Sequence, residues 1–264
     1  MARPVELTFL GTGTSNGIPV IGCSCGVCRS TDPRDRRMRS SAVLRTADQT
    51  ILIDTSPELR LQALTNNISS IDAVLYTHAH ADHMAGFDDL RSFNYVRQAR
   101  IPVYADHFTT DLMQQRYAYA FEAPFPFFGG KPDVDLHEID GPFQVGGLEV
   151  VPIPVGHGRW TVQGFRFGGL VYITDAKVIP RSSLDLMRGA EVLVINALRH
   201  KPHPVHLSLS EALDVIRKVQ PQRAYLTHVS HEMGHAETLA LLPEHVEPAY
   251  DGLTVSVSEP APAG

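Results

Sequence analysis

The sequence predicts a single α/β domain over residues 1–258, in which helices cover β-structure on two sides. Short apolar runs alternate with helical patterns along the whole chain, which is typical of layered α/β folds. Several of these runs lead directly into a histidine or an aspartate. Because loops at strand ends often carry ligand chemistry, these polar residues are the candidates for a functional site.

The first half of the chain contains most of the simple strand patterns. A helix is expected over residues 57–67, because Pro57 suits a first helical position and leucines recur after it. A second, amphipathic helix is expected over residues 108–121. Residues 122–133 must form a loop, since three prolines and two glycines interrupt any regular element. Strands are predicted at residues 5–10, 42–45, 50–54, 73–77 and 101–105.

The second half opens with hairpins over residues 143–176, which turn at two Gly-Gly pairs, Gly146–Gly147 and Gly168–Gly169. Ser208 and Glu211 form a capping box that begins a helix continuing to Val219. Further strands are predicted at residues 191–195 and 223–227.

Composition excludes several classes of protein. The 264 residues are 43% hydrophobic and 20% charged, which indicates a folded globular chain, with a disordered tail only at residues 259–264. A formal net charge of −6 argues against a surface made for nucleic acid or anionic membranes. No apolar run approaches the roughly 18 residues of a membrane span, and the N-terminus lacks the apolar core of a secretory signal. We therefore expect a cytoplasmic protein with reduced thiols.

The strongest motif is H-x-H-x-D-H, formed by His78, His80, Asp82 and His83. Imidazole and carboxylate groups are ligands for zinc, manganese or iron. Adjacent ligands on one loop cannot all converge on one ion without strain. Two metals resolve this geometry, with His78 and His80 on one ion and Asp82 and His83 on the other. The alternative is a solvated polar loop.

Each ion still needs further ligands. His157, Asp175 and His228 each stand at the end of an apolar run. Taken singly, such residues are more often structural than ligating. Strand ends converge on one rim of a sheet, so the motif at His78 strengthens all three as candidates.

Three cysteines, Cys23, Cys25 and Cys28, form the pattern C-x-C-x-x-C. Three thiols this close in a cytoplasmic chain indicate a structural zinc with a fourth ligand from elsewhere. The candidates for that ligand are His231 and His235. Reactive thiols or packed cysteines are the alternatives.

These motifs closely resemble the metallo-β-lactamase superfamily of dinuclear hydrolases, from FLGTGTS at residues 9–15 to AYDGLTV at residues 249–255. The resemblance implies a four-layer αβ/βα sandwich, and a hydroxide shared by the two metals as the nucleophile. It implies one metal on His78, His80 and His157, the other on Asp82, His83 and His228, and Asp175 as a bridge between both. It also makes Asp82 and Asp54 catalytic candidates, with Asp54 supporting the ligand histidines. Asp54 could instead simply begin a turn.

Two further stretches, GTGTSNGIPVIGCSCGVC and LTHVSH, resemble the phosphoribosyl cyclic phosphodiesterase (PhnP-like) branch. In that branch the second histidine of an H-x-x-H pair completes the cysteine zinc site, which here is His231. The branch also has a catalytic histidine just ahead of a helix, and His206 occupies that position. His206 would protonate the leaving oxygen or steady phosphate charge, although a solvated loop histidine is the alternative.

The resemblance implies a metal-dependent hydrolase of a small, cyclic phosphodiester such as a phosphoribosyl cyclic phosphate. Two zinc or manganese ions would serve the active site, and one structural zinc would serve the cysteines. Dinuclear sites also suit other hydrolyses, so a lactone or thioester hydrolase is an alternative. A tRNA 3′-processing nuclease is another, against which the acidic charge and the lack of a basic arm both argue. A non-catalytic metal-binding protein is the last alternative, and assembly as a homodimer is left open.

Overall fold

The computed structural model describes residues 4–122 and 130–258, and the strands in these ranges form two sheets. The first sheet contains β1 (Pro4–Gly11), β2 (Ser41–Arg45), β3 (Thr50–Ile53), β4 (Ala73–Leu75), β5 (Ile101–Ala105), β6 (Val134–Glu138) and β14 (Thr254–Ser258). Their spatial order is β14-β1-β2-β3-β4-β5-β6. The strands from β3 to β6 are parallel, so their carboxyl ends share one edge of the sheet.

The second sheet contains β7 (Phe143–Val145), β8 (Leu148–His157), β9 (Trp160–Phe167), β10 (Leu170–Ile173), β11 (Val192–Asn196), β12 (Arg223–Thr227) and β13 (Val246–Pro248). Their order is β13-β12-β11-β10-β9-β8-β7. β10 to β13 are parallel, and the hairpin strands β7 to β9 are antiparallel.

Helices cover the outer face of each sheet. They are α1 (Leu59–Thr65), α2 (Ala81–Met84), α3 (Leu90–Arg97), α4 (His107–Arg116), α5 (Ala118–Phe121), α6 (Arg181–Met187), α7 (Leu209–Val219) and α8 (His235–Leu239). Short 3-10 helices lie at Pro33–Asp35 and Phe87–Asp89.

Three apolar clusters separate four layers of secondary structure. The central cluster packs the two sheets face to face and includes Phe9 and Tyr172. A second joins the first sheet to α1, α3 and α4, and a third joins the second sheet to α6 and α7. The predicted four-layer αβ/βα sandwich is confirmed.

Most predicted elements lie within a residue or two of the observed ones. β5, β12 and α7 have the predicted bounds, and Ser208 and Glu211 form both hydrogen bonds of the capping box. The helix expected over residues 108–121 is wrong as a single element, because the backbone leaves helical geometry at Tyr117 (φ −117°, ψ 35°) and divides it into α4 and α5. Residues 123–129 of the expected loop and the expected tail at residues 259–264 lie outside the described residues. In the described ranges, no helix is both long and apolar enough to cross a membrane.

A buried arginine connects the N-terminal loop to the C-terminal strand region. Arg37 is only 2% exposed, and its guanidinium donates to Thr12 Oγ1 (2.8 Å) and to the carbonyl of Ala249. Asp251 accepts from the same Thr12 hydroxyl (2.7 Å) and from the backbone N–H of Met38 (2.6 Å). Arg37 therefore places a positive charge close to the partly buried carboxylate of Asp251.

Replacing this arginine is expected to destabilise the fold. The Arg37→Met variant should lower the free energy of unfolding by about 3 kcal/mol, because it removes the buried guanidinium's hydrogen bonds and leaves the partly buried Asp251 carboxylate without its neighbouring cation. Urea denaturation measures the change. Arg36→Met is the matched control, since Arg36 is exposed, and it should change stability by less than about 0.5 kcal/mol. Equal losses in the two variants would contradict a specific role for Arg37.

Candidate functional site

The polar residues at the strand ends meet where the two sheets face each other. The first sheet contributes Asp54 after β3 and the H-x-H-x-D-H motif after β4. The second sheet contributes His157 at the end of β8, Asp175 after β10 and His228 after β12. The structure therefore brings together, from both sheets, the strand-end residues and the H-x-H-x-D-H motif that the sequence singled out for the two metals.

The motif divides at the start of a short helix. His78 and His80 lie on the loop before α2, while Asp82 and His83 lie in α2 itself. The N–H of His83 donates to the carbonyl of His80 (3.0 Å), which closes the first turn. The bend separates the motif into two pairs of side chains, one before the helix and one within it.

Three histidines form one donor group. His80 Nδ1 lies 2.9 Å from His78 Nε2 and 3.3 Å from His157 Nε2. Burial lowers the pKa of His78 well below its ordinary value, and burial also lowers the pKa of His80. Neutral imidazoles carry the lone pairs that bind a metal, so this group can hold one ion.

Asp82, His83 and His228 form a second donor group. His83 Nε2 lies 3.3 Å from Asp82 Oδ2, is fully buried and has no hydrogen-bond partner. Burial alone would lower the pKa of His83, but the carboxylates of Asp82, Asp175 and Asp54 outweigh burial and raise it well above its ordinary value. A buried nitrogen surrounded by carboxylates and lacking a hydrogen bond fits a position beside a cation.

Asp175 stands between the two donor groups. Its Oδ1 lies 3.3 Å from His83 Nε2 and 3.3 Å from His228 Nδ1. Its Oδ2 lies 3.7 Å from His157 Nε2. Burial raises the pKa of Asp175, but His228 and His83 reverse that effect and hold the pKa well below its ordinary value. The carboxylate is therefore ionised and presents one oxygen to each group.

A layer of buried acceptors and hydroxyls surrounds the histidines. Asp54 is fully buried, and its Oδ2 lies 2.7 Å from His83 Nδ1. Its carboxylate also accepts from the N–H and the hydroxyl of Thr77. Such contacts fix the tautomer and the direction of a ligand imidazole. This is the placement that the family resemblance implies for Asp54.

Two of the site residues have left-handed backbone conformations. Asp54 has φ of 61° and His228 has φ of 54°, both directly after a strand. This conformation is uncommon outside glycine and is concentrated at functional sites. It also ends β3 at Ile53, one residue before the predicted end.

His206 lies inside the site rather than on a solvated loop. Its buried Nδ1 lies 3.6 Å from Asp175 Oδ2, and its ring is 4.6 Å from that of His157. Burial, assisted by the neighbouring His228, lowers the pKa of His206 to about 3. The imidazole is thus neutral near pH 7.

A polar cavity of about 230 Å³ opens beside His206. The loop with the sequence GTGTSNG forms one wall, and the loop before α7 forms another. Arg199 lies in this cavity and pairs with Glu232 (3.3 Å). The lining includes Thr14, Ser15, Asn16, Arg199, His203 and His206.

The three cysteines converge on one histidine. Sγ of Cys23, Cys25 and Cys28 lies 3.2, 3.5 and 3.6 Å from His231 Nδ1, respectively. A tetrahedral zinc site with ordinary zinc–sulfur and zinc–nitrogen lengths requires separations of about 3.6 Å. The Cys28 N–H, which donates to Cys25 Sγ, is the main cause that lowers the pKa of Cys25 to about 6. His235 instead lies beside Arg37 (3.4 Å), so the structure favours His231 as the fourth member.

Sequence reasoning missed several residues that contact the ligand histidines. Ser40 Oγ lies 3.0 Å from His228 Nδ1, and Thr14 Oγ1 lies 3.1 Å from His228 Nε2. Trp160 stacks on His80. Among these residues, only Thr14 lay in a stretch that the sequence had singled out, because GTGTSNG begins the longer stretch that resembles the phosphodiesterase branch.

Comparisons with known proteins agree with this geometry. Residues 49–229 match the family model described as "Beta-lactamase superfamily domain". An octanoyltransferase of Porphyromonas gingivalis is 41% identical over 257 residues, which cover 95% of this chain and 51% of that protein. The chain therefore spans about half the length of this curated relative.

Solved structures show the same fold over the whole chain. A diphosphatase from the PhnP family has a TM-score of 0.92 at 39% identity, covering 98% of this chain and 99% of that one. Zinc-bound PqqB from Methylobacterium extorquens has a TM-score of 0.79 at 18% identity, covering 96% and 100%, and shows the fold alone.

The fold and the donor groups define a domain of the β-lactamase type whose side chains can hold metal ions. The chain belongs to the beta-lactamase superfamily. The predicted family is confirmed, while the roles of individual residues stay predictions.

Proposed function

We propose that the chain is a dinuclear phosphodiesterase that hydrolyses a small phosphate diester. The observation that supports this most directly is Asp175, whose two oxygens face the two donor groups. A carboxylate in that position suits a bridge between ions about 3.5–4 Å apart.

The proposed ligands divide as the donor groups do. His78, His80 and His157 would hold one ion, and Asp82, His83 and His228 would hold the other. The unpartnered His83 Nε2 supports this, because a buried nitrogen without a hydrogen bond needs another partner. When bound, two zinc or manganese ions supply Lewis acidity and lower the pKa of a shared water.

Groups of the protein would also orient the ligand rings, donate a hydrogen bond to the substrate and balance the charge of the ions. Asp54 orients His83, and the carbonyl of Val205 accepts from His157 Nδ1 (2.8 Å) and orients that ring. His206 would donate a hydrogen bond to the phosphoryl or leaving oxygen, because its ring lies at the boundary between the donor groups and the polar cavity. Asp82 would serve as an ionised ligand, and its negative charge would balance the ions.

The proposed substrate is a small, cyclic diester such as a phosphoribosyl cyclic phosphate. The size of the cavity, about 230 Å³, and its hydroxyl and histidine lining suit a sugar phosphate better than a folded RNA. The likeness to a PhnP-family diphosphatase supports a phosphorus centre as the point of attack.

We also propose a structural zinc on Cys23, Cys25, Cys28 and His231. The spacing of their donor atoms matches a tetrahedral site, and the thiols are free of disulfides. His231 follows His228 closely, so the zinc would tie the cysteine loop to the edge of the active site.

A second candidate is hydrolysis of an octanoyl thioester. One observation favours it, namely the relative from Porphyromonas gingivalis that is named an octanoyltransferase. The chain spans 51% of that relative, and the name gives no indication of which half transfers the octanoyl group.

A turnover screen separates these candidates. Protein loaded with Mn²⁺ or Zn²⁺ is assayed on bis-p-nitrophenyl phosphate, ribose cyclic phosphates, a precursor tRNA, a lactone and an octanoyl thioester. We expect kcat/KM for a small diester to exceed that for the other classes by about 10²-fold or more. Protein stripped by a chelator and then reloaded is the control for metal dependence. A faster thioester reaction would favour the second candidate, and a reloaded protein inactive on every diester would overturn the proposal.

A further inference from the structure

The five histidines of the two donor groups differ in how their rings are held. Four of them contact a hydroxyl, carboxylate or carbonyl through a ring nitrogen. His78 contacts the Thr77 hydroxyl (3.0 Å), and His83 contacts the Asp54 carboxylate. His157 contacts the Val205 carbonyl, and His228 contacts the hydroxyls of Ser40 and Thr14. His80 directs its Nδ1 at the other histidines, and within residues 4–122 and 130–258 nothing hydrogen-bonds its Nε2. His80 is therefore the ligand candidate whose ring lacks a polar support.

An aromatic side chain takes the place of that support. The ring of Trp160 stacks on the ring of His80, with centroids 4.3 Å apart and planes inclined by 29°. Phe108, at the start of α4, meets Trp160 edge-on with centroids 5.1 Å apart. The His80 imidazole thus packs against the Trp160 ring, and Phe108, which follows a strand of the first sheet, packs against Trp160 in turn.

The hairpin between β8 and β9 explains how Trp160 reaches this position. His157 and Trp160 are paired across the turn, and Gly158 between them has φ of 62°. One tight turn therefore presents a ligand candidate and the stacking ring to the same donor group. The same hairpin therefore supplies the ligand candidate His157 and the ring that packs on His80.

We propose that Trp160 is a positioning residue of the metal centre, holding the His80 imidazole in the direction that binds the ion of the three-histidine group. This inference rests on the proposed function. His80 is only half-buried, so without the indole its ring can rotate toward solvent, and ordering it again costs side-chain entropy. Phe108 limits the movement of the indole in turn.

The chain offers a direct readout, because Trp160 is its single tryptophan. Mn²⁺ is the probe, since thiolate ligands select zinc and leave Mn²⁺ to the histidine and carboxylate groups. Titration with Mn²⁺ should quench the tryptophan emission in step with occupancy of the three-histidine group. His80→Ala should remove most of that quenching. Emission that follows the second ion instead would overturn the proposed contact.

Binding of Mn²⁺ to the variants tests the positioning role itself, measured as free Mn²⁺ by electron paramagnetic resonance. Trp160→Ala should weaken binding at the three-histidine group by about 10–100-fold and leave the second group within about twofold. Trp160→Phe keeps an aromatic ring and should restore most of the affinity. Tyr95→Ala is the matched control, since Tyr95 is 80% exposed on α3.

The outcomes separate this inference from the function on which it rests. Unmodified protein that binds only one Mn²⁺ would contradict the dinuclear proposal. Unmodified protein and Trp160→Ala that both bind two ions with equal affinity would overturn the positioning role alone. Equal weakening of both groups in Trp160→Ala would also overturn it, because a general loss of structure has no preference for His80.

Discussion

Asp175→Ala is expected to reduce kcat/KM for a small phosphodiester by at least about 10³-fold, since metal-ion catalysis contributes several kcal/mol. The physical reason is the position of the side chain, with Oδ1 toward His83 and His228 and Oδ2 toward His157. Without this carboxylate, both donor groups lose the negatively charged side chain that lies between them. Turnover of bis-p-nitrophenyl phosphate and metal content by elemental analysis measure the two effects.

Two further variants make the Asp175 result specific. Asp175→Asn keeps the side-chain volume and removes the charge, so the fold should be retained while metal binding falls. Asp185→Ala is the matched control, because Asp185 is exposed on α6 and its carboxylate pairs with Arg188. If Asp175→Ala kept two ions and normal turnover, the bridging role would be wrong.

Cys25→Ser is expected to cost one zinc per chain and about 3 kcal/mol of stability, on the order of 10 °C in Tm. The cysteine loop has little regular structure of its own, and its thiols meet His231 from a distant part of the chain. A zinc held there contributes directly to folding, because the unfolded chain lacks the site. Elemental analysis and thermal unfolding give the two values.

Ser24→Ala is the control for this prediction, since Ser24 is exposed in the same loop. It should keep the zinc and the Tm. The ions of the histidine groups should be unchanged in both variants. Three metal equivalents in Cys25→Ser would contradict the cysteine site.

The sequence could indicate members of the candidate site because several of them lie at strand ends. Apolar runs are visible locally, and the residue that follows each run marks the edge of a sheet. His157, Asp175 and His228 could therefore be proposed together before any contact between them was known. Parallel pairing of β10, β11 and β12 then brings the strand ends that carry Asp175 and His228 to one edge.

The supporting contacts could not be predicted in this way. Ser40 and Thr14 are 188 and 214 residues from the histidine they contact. No local period or spacing relates positions so far apart. The sequence could not decide between His231 and His235 as the fourth ligand for the same reason. Both follow β12, and only the tertiary packing distinguishes them.

Local backbone strain was equally hidden from the sequence. The run ending in Asp54 continues the strand pattern, yet the residue turns into the left-handed region. Its partners Thr77 and His83 hold it there. A strand pattern gives no indication of such a turn, because the turn depends on contacts with the neighbouring strand.

The position of the donor groups between the two sheets has a consequence for assembly of the fold. Each donor group, within the described residues, combines side chains from both halves of the sandwich. A ligand that binds only the assembled state stabilises it, by about 2.7 kcal/mol at a concentration 100 times Kd. The ions would thus stabilise the docked arrangement of the two halves. A chain whose halves have not docked would lack a complete donor group, so under the proposed function it would bind the ions weakly and hydrolyse little substrate.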